Sequence, residues 1–220
     1  MRGLLEALAG GPLPDWSRFD ETLEEFHLRV GEFLPTRLAD SATTDFYLVV
    51  KGLVQVKTTD ARGLSTTVNF VGRGDIFASQ PAISGGGSSP ELNGALPFTA
   101  VLKGAARARA EQYIISALQE SVIVRCDGDE LTRRADVSLP WAKVFATAYR
   151  LYALFIRRER DRMRLPPEQR YRSFLRDYAA YTAVIPQKAV AEYLAISEVG
   201  LSRIATRVRR EHSEGNGATG

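Results

Sequence analysis

Arg203 stands among a carboxylate, two hydroxyls and a small branched apolar group, Glu198, Ser202, Thr206 and Val199, all at helical spacing. That set offers the chemistry for touching base-pair edges. A guanidinium makes two parallel hydrogen bonds to guanine O6 and N7, a carboxylate accepts from a cytosine amino group, and an apolar side chain meets a thymine methyl. Gln187, Lys188 and Ser197, a few residues upstream, carry groups suited to phosphate oxygens, contacts that position a protein on a duplex.

Such residues act together only if two short helices hold them. From Gln187 onward Val190, Ala191 and Leu194 recur as one narrow apolar stripe, and Leu201, Ile204, Ala205 and Val208 recur at i, i+3, i+4 and i+7. The spacing predicts two amphipathic helices joined by a three-residue turn within residues 185–208, with both stripes in one core. Ala191 is small where the helices cross, and Ser197 is placed to cap the second helix. A capped helix N-terminus also suits a phosphate oxygen. The pattern alone fits a helical hairpin that docks a protein as well as one that enters a major groove.

Charge separates these readings. Residues 133–212 hold 17 Lys+Arg against 8 Asp+Glu, a net +9, whereas residues 1–132 sum to −5. Basic charge segregated onto the segment with the two-helix unit is the electrostatic footprint of a phosphate-binding domain. No apolar run approaches the length of a membrane span, and the N-terminus lacks the order of a secretory signal, since Glu6 breaks the first apolar residues and Gly10-Gly11-Pro12 follows. A cytoplasmic protein with no membrane association is expected. One cysteine, Cys126, excludes an internal disulfide and any cysteine-based zinc or iron-sulfur site; it reads as a small buried group at a strand end. His27 and His212 lie far apart and read as surface residues, so no general base or haem ligand is apparent, and no enzyme, metal or cofactor is expected.

Upstream, short helices are expected at residues 4–9 and 20–28, followed by strands. Phe46 to Val50 and Leu53 to Lys57, separated by Lys51-Gly52, read as a hairpin; Thr66 to Val71, Tyr113 to Ile115 and Val122 to Cys126 supply further strands. Gly72-Arg73-Gly74-Asp75 reads as a turn, and residues 84–90, rich in glycine and serine, as a surface loop. From Leu139 to Met163 nothing interrupts a helix. Trp141, Phe145, Ala148, Tyr152 and Phe155 follow a 4-3-4-3 spacing, an apolar seam wide enough to meet the strand domain on one side and a second copy of the helix on the other. Packing wholly inside one subunit is the alternative. The run of Arg157, Arg158, Arg160, Arg162 and Arg164 reads as a solvated helix end close to the DNA-facing unit.

The order of strand-rich barrel, long helix and C-terminal helix-turn-helix resembles the Crp/Fnr family of bacterial transcription regulators. The resemblance is carried by Tyr47 to Val56, by Gly74-Asp75-Ile76-Phe77, by Ala117-Leu118-Gln119-Glu120 and, most specifically, by Ile185 to Arg203 with Leu201-Ser202-Arg203-Ile204. It implies an α+β fold in three parts: a cyclic-nucleotide-binding-like jelly-roll barrel over residues 1–136, a central dimerisation helix over 137–165, and a winged-helix reader over 166–212, with a disordered tail at 213–220. It also implies a homodimer on palindromic double-stranded DNA, RNA polymerase as a partner, and a small-molecule effector at the barrel.

The effector site departs from the family. Members that bind cyclic AMP place a Gly-Glu pair after this Gly-Asp turn and an arginine on the phosphate; here Ala78-Ser79 and roughly Glu111-Gln112 occupy those places. A carboxylate in place of the guanidinium repels a cyclic phosphate. The expected pocket is therefore rebuilt around Ser79, Arg107, Arg109 and Tyr152, and it does not bind cyclic AMP in the usual way. The other function class consistent with these residues is a ligand or haem sensor whose C-terminal helices bind a protein.

Overall fold

The computed structural model describes residues 1–35, 45–59, 63–78 and 113–217, with side chains as far as Glu211. Ser79, Arg107 and Arg109, the glycine-rich stretch at 84–90 and the Glu111-Gln112 pair lie outside the described residues. The elements run α1 (Arg2–Ala9), α2 (Trp16–Asp20), β1 (Glu24–Leu28), β2 (Phe46–Lys51), β3 (Leu53–Thr59), β4 (Ser65–Gly72), β5 (Ile76–Ala78), β6 (Tyr113–Ala117), β7 (Ser121–Cys126), α3 (Gly128–Val137), α4 (Leu139–Met163), α5 (Pro167–Asp177), α6 (Gln187–Tyr193) and α7 (Glu198–Gly217). They divide into two compact units, Met1–Ser65 with Asn69–Tyr149, and Thr66–Val68 with Arg150–Gly220, so the boundary falls inside α4.

In the first unit the strands form two sheets, ordered β1-β7-β2-β5 and β4-β3-β6. Alternation decides what lies between them. Tyr47 and Val49 of β2, Ile123 of β7 and Leu28 of β1 turn inward from one sheet, Val54 and Val56 of β3 with Ile115 and Ala117 of β6 from the other, and together they make the inner core. Phe46 and Leu48 face the opposite way, which is why β2 reads as a continuous apolar run. Among the described residues the strands form these two sheets and no closed barrel.

Two further expectations change. The hairpin predicted across Lys51-Gly52 is a corner: β2 pairs with β5 and β7 in one sheet, and β3 crosses to the other, where it pairs with β6. A single linking residue is too short for a hairpin turn. Gly52 sits at φ 93°, and a Cβ there would collide with the Ser121 hydroxyl and the Glu120 carbonyl, so the corner needs glycine twice over. The helix predicted over 20–28 gives way to β1, whose residues pair with β7 from Glu24↔Arg125 to Leu28↔Ser121; backbone pairing at the sheet edge overrides the local helical propensity.

A second core forms where α1, α2, α3 and the start of α4 meet: Leu5, Ala9, Leu13, Phe19, Cys126, Leu131, Trp141 and Val144. Trp141 is 1% exposed, packs its ring tilted against that of Phe19 with centroids 4.5 Å apart, and donates its indole N–H to the Pro14 carbonyl at 3.2 Å. Its place is the core of its own chain, which corrects the expectation that it contributes to a seam between two copies. The ring, directly after Pro140, is met on its own chain by Phe19 of α2 and the Pro14 carbonyl. Asp127 caps α3 by accepting from the amides of Asp129 and Glu130.

Apart from Thr66–Val68 of β4, the second unit is helical. Among the described residues no strand lies beyond Cys126, so no wing accompanies the two-helix unit. Residues 178–185 instead close successive tight turns, with Tyr181 N–H donating to Tyr178, and the Val184 and Ile185 amides both donating to Tyr181. Those three donors are spent locally and are not available to a strand ladder. The backbone of α7 continues to Gly217, so the stretch from 213 to 217 is helix and not tail.

Candidate nucleic-acid interface

α6 and α7 are joined through Leu194, Ala195, Ile196 and Ser197, one residue more than the spacing predicts. Ala195 turns the chain at φ 50°, a left-handed conformation uncommon for a residue with a Cβ. The N–H of Ile196 donates back to the Ala191 carbonyl at 2.9 Å, which closes the end of α6. Arg170 of α5 clamps the same turn by donating from Nη1 to the Leu194 carbonyl at 2.5 Å. Ser197 then opens α7: its hydroxyl oxygen accepts from the Gly200 amide at 3.1 Å and its carbonyl from the Leu201 amide at 2.8 Å.

Both apolar stripes lie inward. Val190, Ala191 and Leu194 are buried on one helix, and Leu201, Ile204, Ala205 and Val208 on the other. With those positions committed to packing, Ser197, Glu198, Val199, Ser202, Arg203 and Thr206 are exposed along one side of α7, and Gln187 and Lys188 are exposed at the start of α6. Val199 is 65% exposed, a large value for an aliphatic side chain on a helix whose other aliphatic groups are buried. All eight residues chosen from the sequence thus stand on solvent.

Their electrostatic setting is uneven. Arg207 on α7 donates to Glu168 of α5 at 2.9 Å, Arg172 pairs with Glu168 and with Glu211, and Arg209 donates to the Ala205 carbonyl. The Arg172 guanidinium beside Glu168 holds that carboxyl below the usual carboxylate range. Arg203, in contrast, makes no ion pair among the described residues. Thr206 donates its hydroxyl to the Ser202 carbonyl at 3.0 Å, which fixes the rotamer of one polar group on that face.

The arginine run at the end of α4 is only partly solvated. Arg157, Arg158, Arg160 and Arg164 are exposed, but Arg162 is 4% exposed. Arg162 pairs with Glu159 and lies over the ring of Tyr193, with its guanidinium carbon 4.0 Å from the ring centroid. The Tyr193 hydroxyl donates to Glu159 at 3.0 Å and lies 3.1 Å from the hydroxyl of Tyr178, and Arg158 pairs with Asp177. Burial pushes the Tyr193 phenol far above its ordinary range. Sequence reasoning misses this cluster because Glu159 and Arg162 at i, i+3 look like an ordinary surface pair; the one signal is a tyrosine ending α6 where the stripe calls for an aliphatic residue.

Of the expected effector residues, Tyr152 is the one within the described residues. It stands on α4, 40% exposed, with burial raising its phenol. Among the described residues no cluster of three or more His, Cys, Asp or Glu side chains could hold a metal ion. His27 lies on the surface of β1, 2.7 Å from Glu25. The first unit does carry an apolar cleft of about 480 Å³, counting its open mouth, between Leu5 and Leu8 of α1, Phe46 and Leu48 of β2, and Phe145 and Ala148 of α4. Among the described residues no helix is long and apolar enough to cross a membrane.

No protein-family profile matches the chain, and no curated protein matches it. Solved structures do match. FixK2 from Bradyrhizobium japonicum aligns at 17% identity and a TM-score of 0.58, over 86% of this chain and 86% of that one. A cyclic nucleotide-binding domain containing protein from Listeria monocytogenes aligns at 16% identity and 0.58, over 95% and 90%. A putative transcriptional regulator of the Crp/Fnr family from Eubacterium rectale aligns at 14% identity and 0.51, over 90% and 88%. The chain therefore has a Crp/Fnr-like fold.

Proposed function

We propose that the protein is a transcription regulator that binds double-stranded DNA as a homodimer, reading a palindromic promoter site through α7 and delivering its output to RNA polymerase in the cytoplasm. The observation that carries this reading is the exposed row of Glu198, Val199, Ser202, Arg203 and Thr206 on a helix whose other face is buried. Arg203 reads a guanine, Glu198 and Val199 contact neighbouring base edges, and Gln187, Lys188, Ser197, Ser202 and Thr206 set the register on the backbone. Two copies place their α7 helices about one helical turn, ~34 Å, apart when α4 pairs with α4.

The pairing surface falls on the later part of α4, where Leu151, Tyr152, Leu154 and Ile156 are exposed and Phe155 is half-buried. Phe145 and Ala148, expected in the same seam, are half-buried and border the apolar cleft of the first unit. A small-molecule effector acting on the strand-rich unit would work by changing that pairing. The solved structure of CLP from Xanthomonas campestris, at 14% identity and a TM-score of 0.53 over 90% of this chain and 91% of that one, is described as a c-di-GMP responsive global regulator. Responsiveness to a small molecule is thus compatible with this architecture, and the chemistry of the effector here is its own.

The test is selection of bound duplexes from a random pool at physiological salt with excess competitor DNA. The reading expects a palindromic motif, and it expects Arg203→Ala to lose ~1 to 3 kcal/mol of preference at a single symmetric base pair. A wild-type protein that enriches no motif overturns it.

A further inference from the structure

Arg162 is an expensive residue in its place. A guanidinium that is 4% exposed has lost nearly all its water, and in exchange, among the described residues, it holds the Glu159 carboxylate and the face of the Tyr193 ring, while its Nε and Nη1 find no hydrogen-bond partner there. Replacement of such a buried charge, together with its pairing, by an apolar side chain of similar volume is often neutral or stabilising. Stability therefore does not account for an arginine here.

Direction does. Cation-π attraction holds the guanidinium over the ring face and so orients that face, and hydrogen bonds at the phenol oxygen fix where the far end of the ring lies. Tyr193 receives both restraints at once: Arg162 over its face at 4.0 Å, and at its hydroxyl Glu159 at 3.0 Å and Tyr178 at 3.1 Å. Phe174 of α5 meets the same ring edge-on, with centroids 6.2 Å apart. Tyr193 is the last residue of α6, four residues before the Ser197 cap of α7. A ring fixed in every direction at that point fixes where the turn, and then α7, departs.

We propose that Arg162 and Tyr193 are positioning residues that set the pitch of the helix-turn-helix against the last turns of α4, and so set how α7 presents Arg203. This rests on the DNA-reading proposal above. Neither residue touches DNA in this arrangement; both act through the geometry of the turn. An apolar side chain at position 162 fills the space but leaves the ring free to tilt, which changes recognition without unfolding the unit.

The experiment uses the full chain and two variants: Arg162→Met/Glu159→Gln, which removes the buried charge with its partner and keeps an acceptor for the Tyr193 hydroxyl, and Tyr193→Phe, which keeps the ring under Arg162 and loses both hydroxyl contacts. Three quantities are read: melting temperature, affinity for the wild-type-selected duplex and for competitor DNA across salt concentrations, and hydrogen exchange of amides 187–208. The expected result for Arg162→Met/Glu159→Gln is a melting temperature at or above that of wild type, operator affinity down about tenfold, a typical size for coupling between distinct sites, and unchanged competitor binding and salt slope. Amides of the turn and early α7 exchange faster at the same global stability. Tyr193→Phe falls between the double variant and wild type. Affinity and melting temperature falling in parallel, or both variants matching wild type in operator affinity and exchange, overturns the proposal. If wild type selects no duplex, the DNA reading fails separately, and the exchange data decide alone whether Arg162 and Tyr193 hold the turn.

Discussion

The hydroxyl oxygen of Ser197 accepts from the Gly200 amide at 3.1 Å, so the helix that carries Arg203 begins at a fixed residue. A Cβ at Gly200 would lie 2.9 Å from that same oxygen, which leaves the cap room only because position 200 is glycine. The cap satisfies one of the free amide donors of the first turn and leaves others pointing outward, where a phosphate oxygen can meet them.

Ser197→Ala removes the cap, and the expected cost is about 1 kcal/mol. Ser197→Asp retains an acceptor at that position and restores most of the loss. Thermal unfolding followed by circular dichroism at 222 nm checks both; equal melting temperatures for wild type and Ser197→Ala would show that the cap contributes nothing.

Leu154 is 54% exposed in the middle of α4, beside Leu151 and Ile156. Within a lone subunit an aspartate there is a surface change worth less than about 0.5 kcal/mol, whereas on a helix paired with its copy it buries a charge. Leu154→Asp is expected to sediment as a monomer with unchanged helix content and to lose operator binding. A wild-type protein that is itself monomeric at micromolar concentration removes the pairing argument.

Trp141 joins Phe19 at 4.5 Å and the Pro14 carbonyl at 3.2 Å, and it ties α2 to the start of α4. Trp141→Ala is expected to cost ~3 to 5 kcal/mol through the cavity and the lost packing. Trp141→Phe keeps a ring and loses about 1 kcal/mol for the hydrogen bond. Urea denaturation read by circular dichroism separates the two; a Trp141→Ala variant within 1 kcal/mol of wild type, on the scale of a surface change, would place the ring outside the core.

Burial among Leu131, Trp141 and Val144 pushes the Cys126 thiol up to about 12, with the nearby carboxylates of Asp127, Asp45 and Glu130 adding to the effect. The native thiol is expected to be inert to a disulfide reagent at pH 8 and to react fully, one group per chain, in denaturant. Because the folded value lies above the unfolded one, this residue lowers stability only as pH rises past the unfolded thiol's value near 8.5 and towards 12, and below that range it contributes its full packing. Rapid titration of the native protein at pH 8 would contradict the burial.

The sequence by itself determined α7. Its polar face, its cap at Ser197 and its buried stripe of Leu201, Ile204 and Val208 are local consequences of a 3.6-residue period and of the hydrogen bonds an N-terminus lacks, so they are legible without knowing what the helix packs against. The buried thiol of Cys126 and the strand runs of β2 and β3 were legible for the same reason.

Only the tertiary structure decided partners. Strand pairing is a long-range choice, so the corner at Gly52, which sends β2 and β3 to different sheets, and the pairing that makes residues 24–28 a strand have no local signal. Trp141 lies in the core of its own chain because Phe19 and Pro14, distant in sequence, meet it there. Arg162 was buried because Tyr193, distant in sequence, arrived over its guanidinium. Side chains three and four apart on a helix are neighbours by covalent geometry, whereas what meets them from another element is set by the packing of the whole unit.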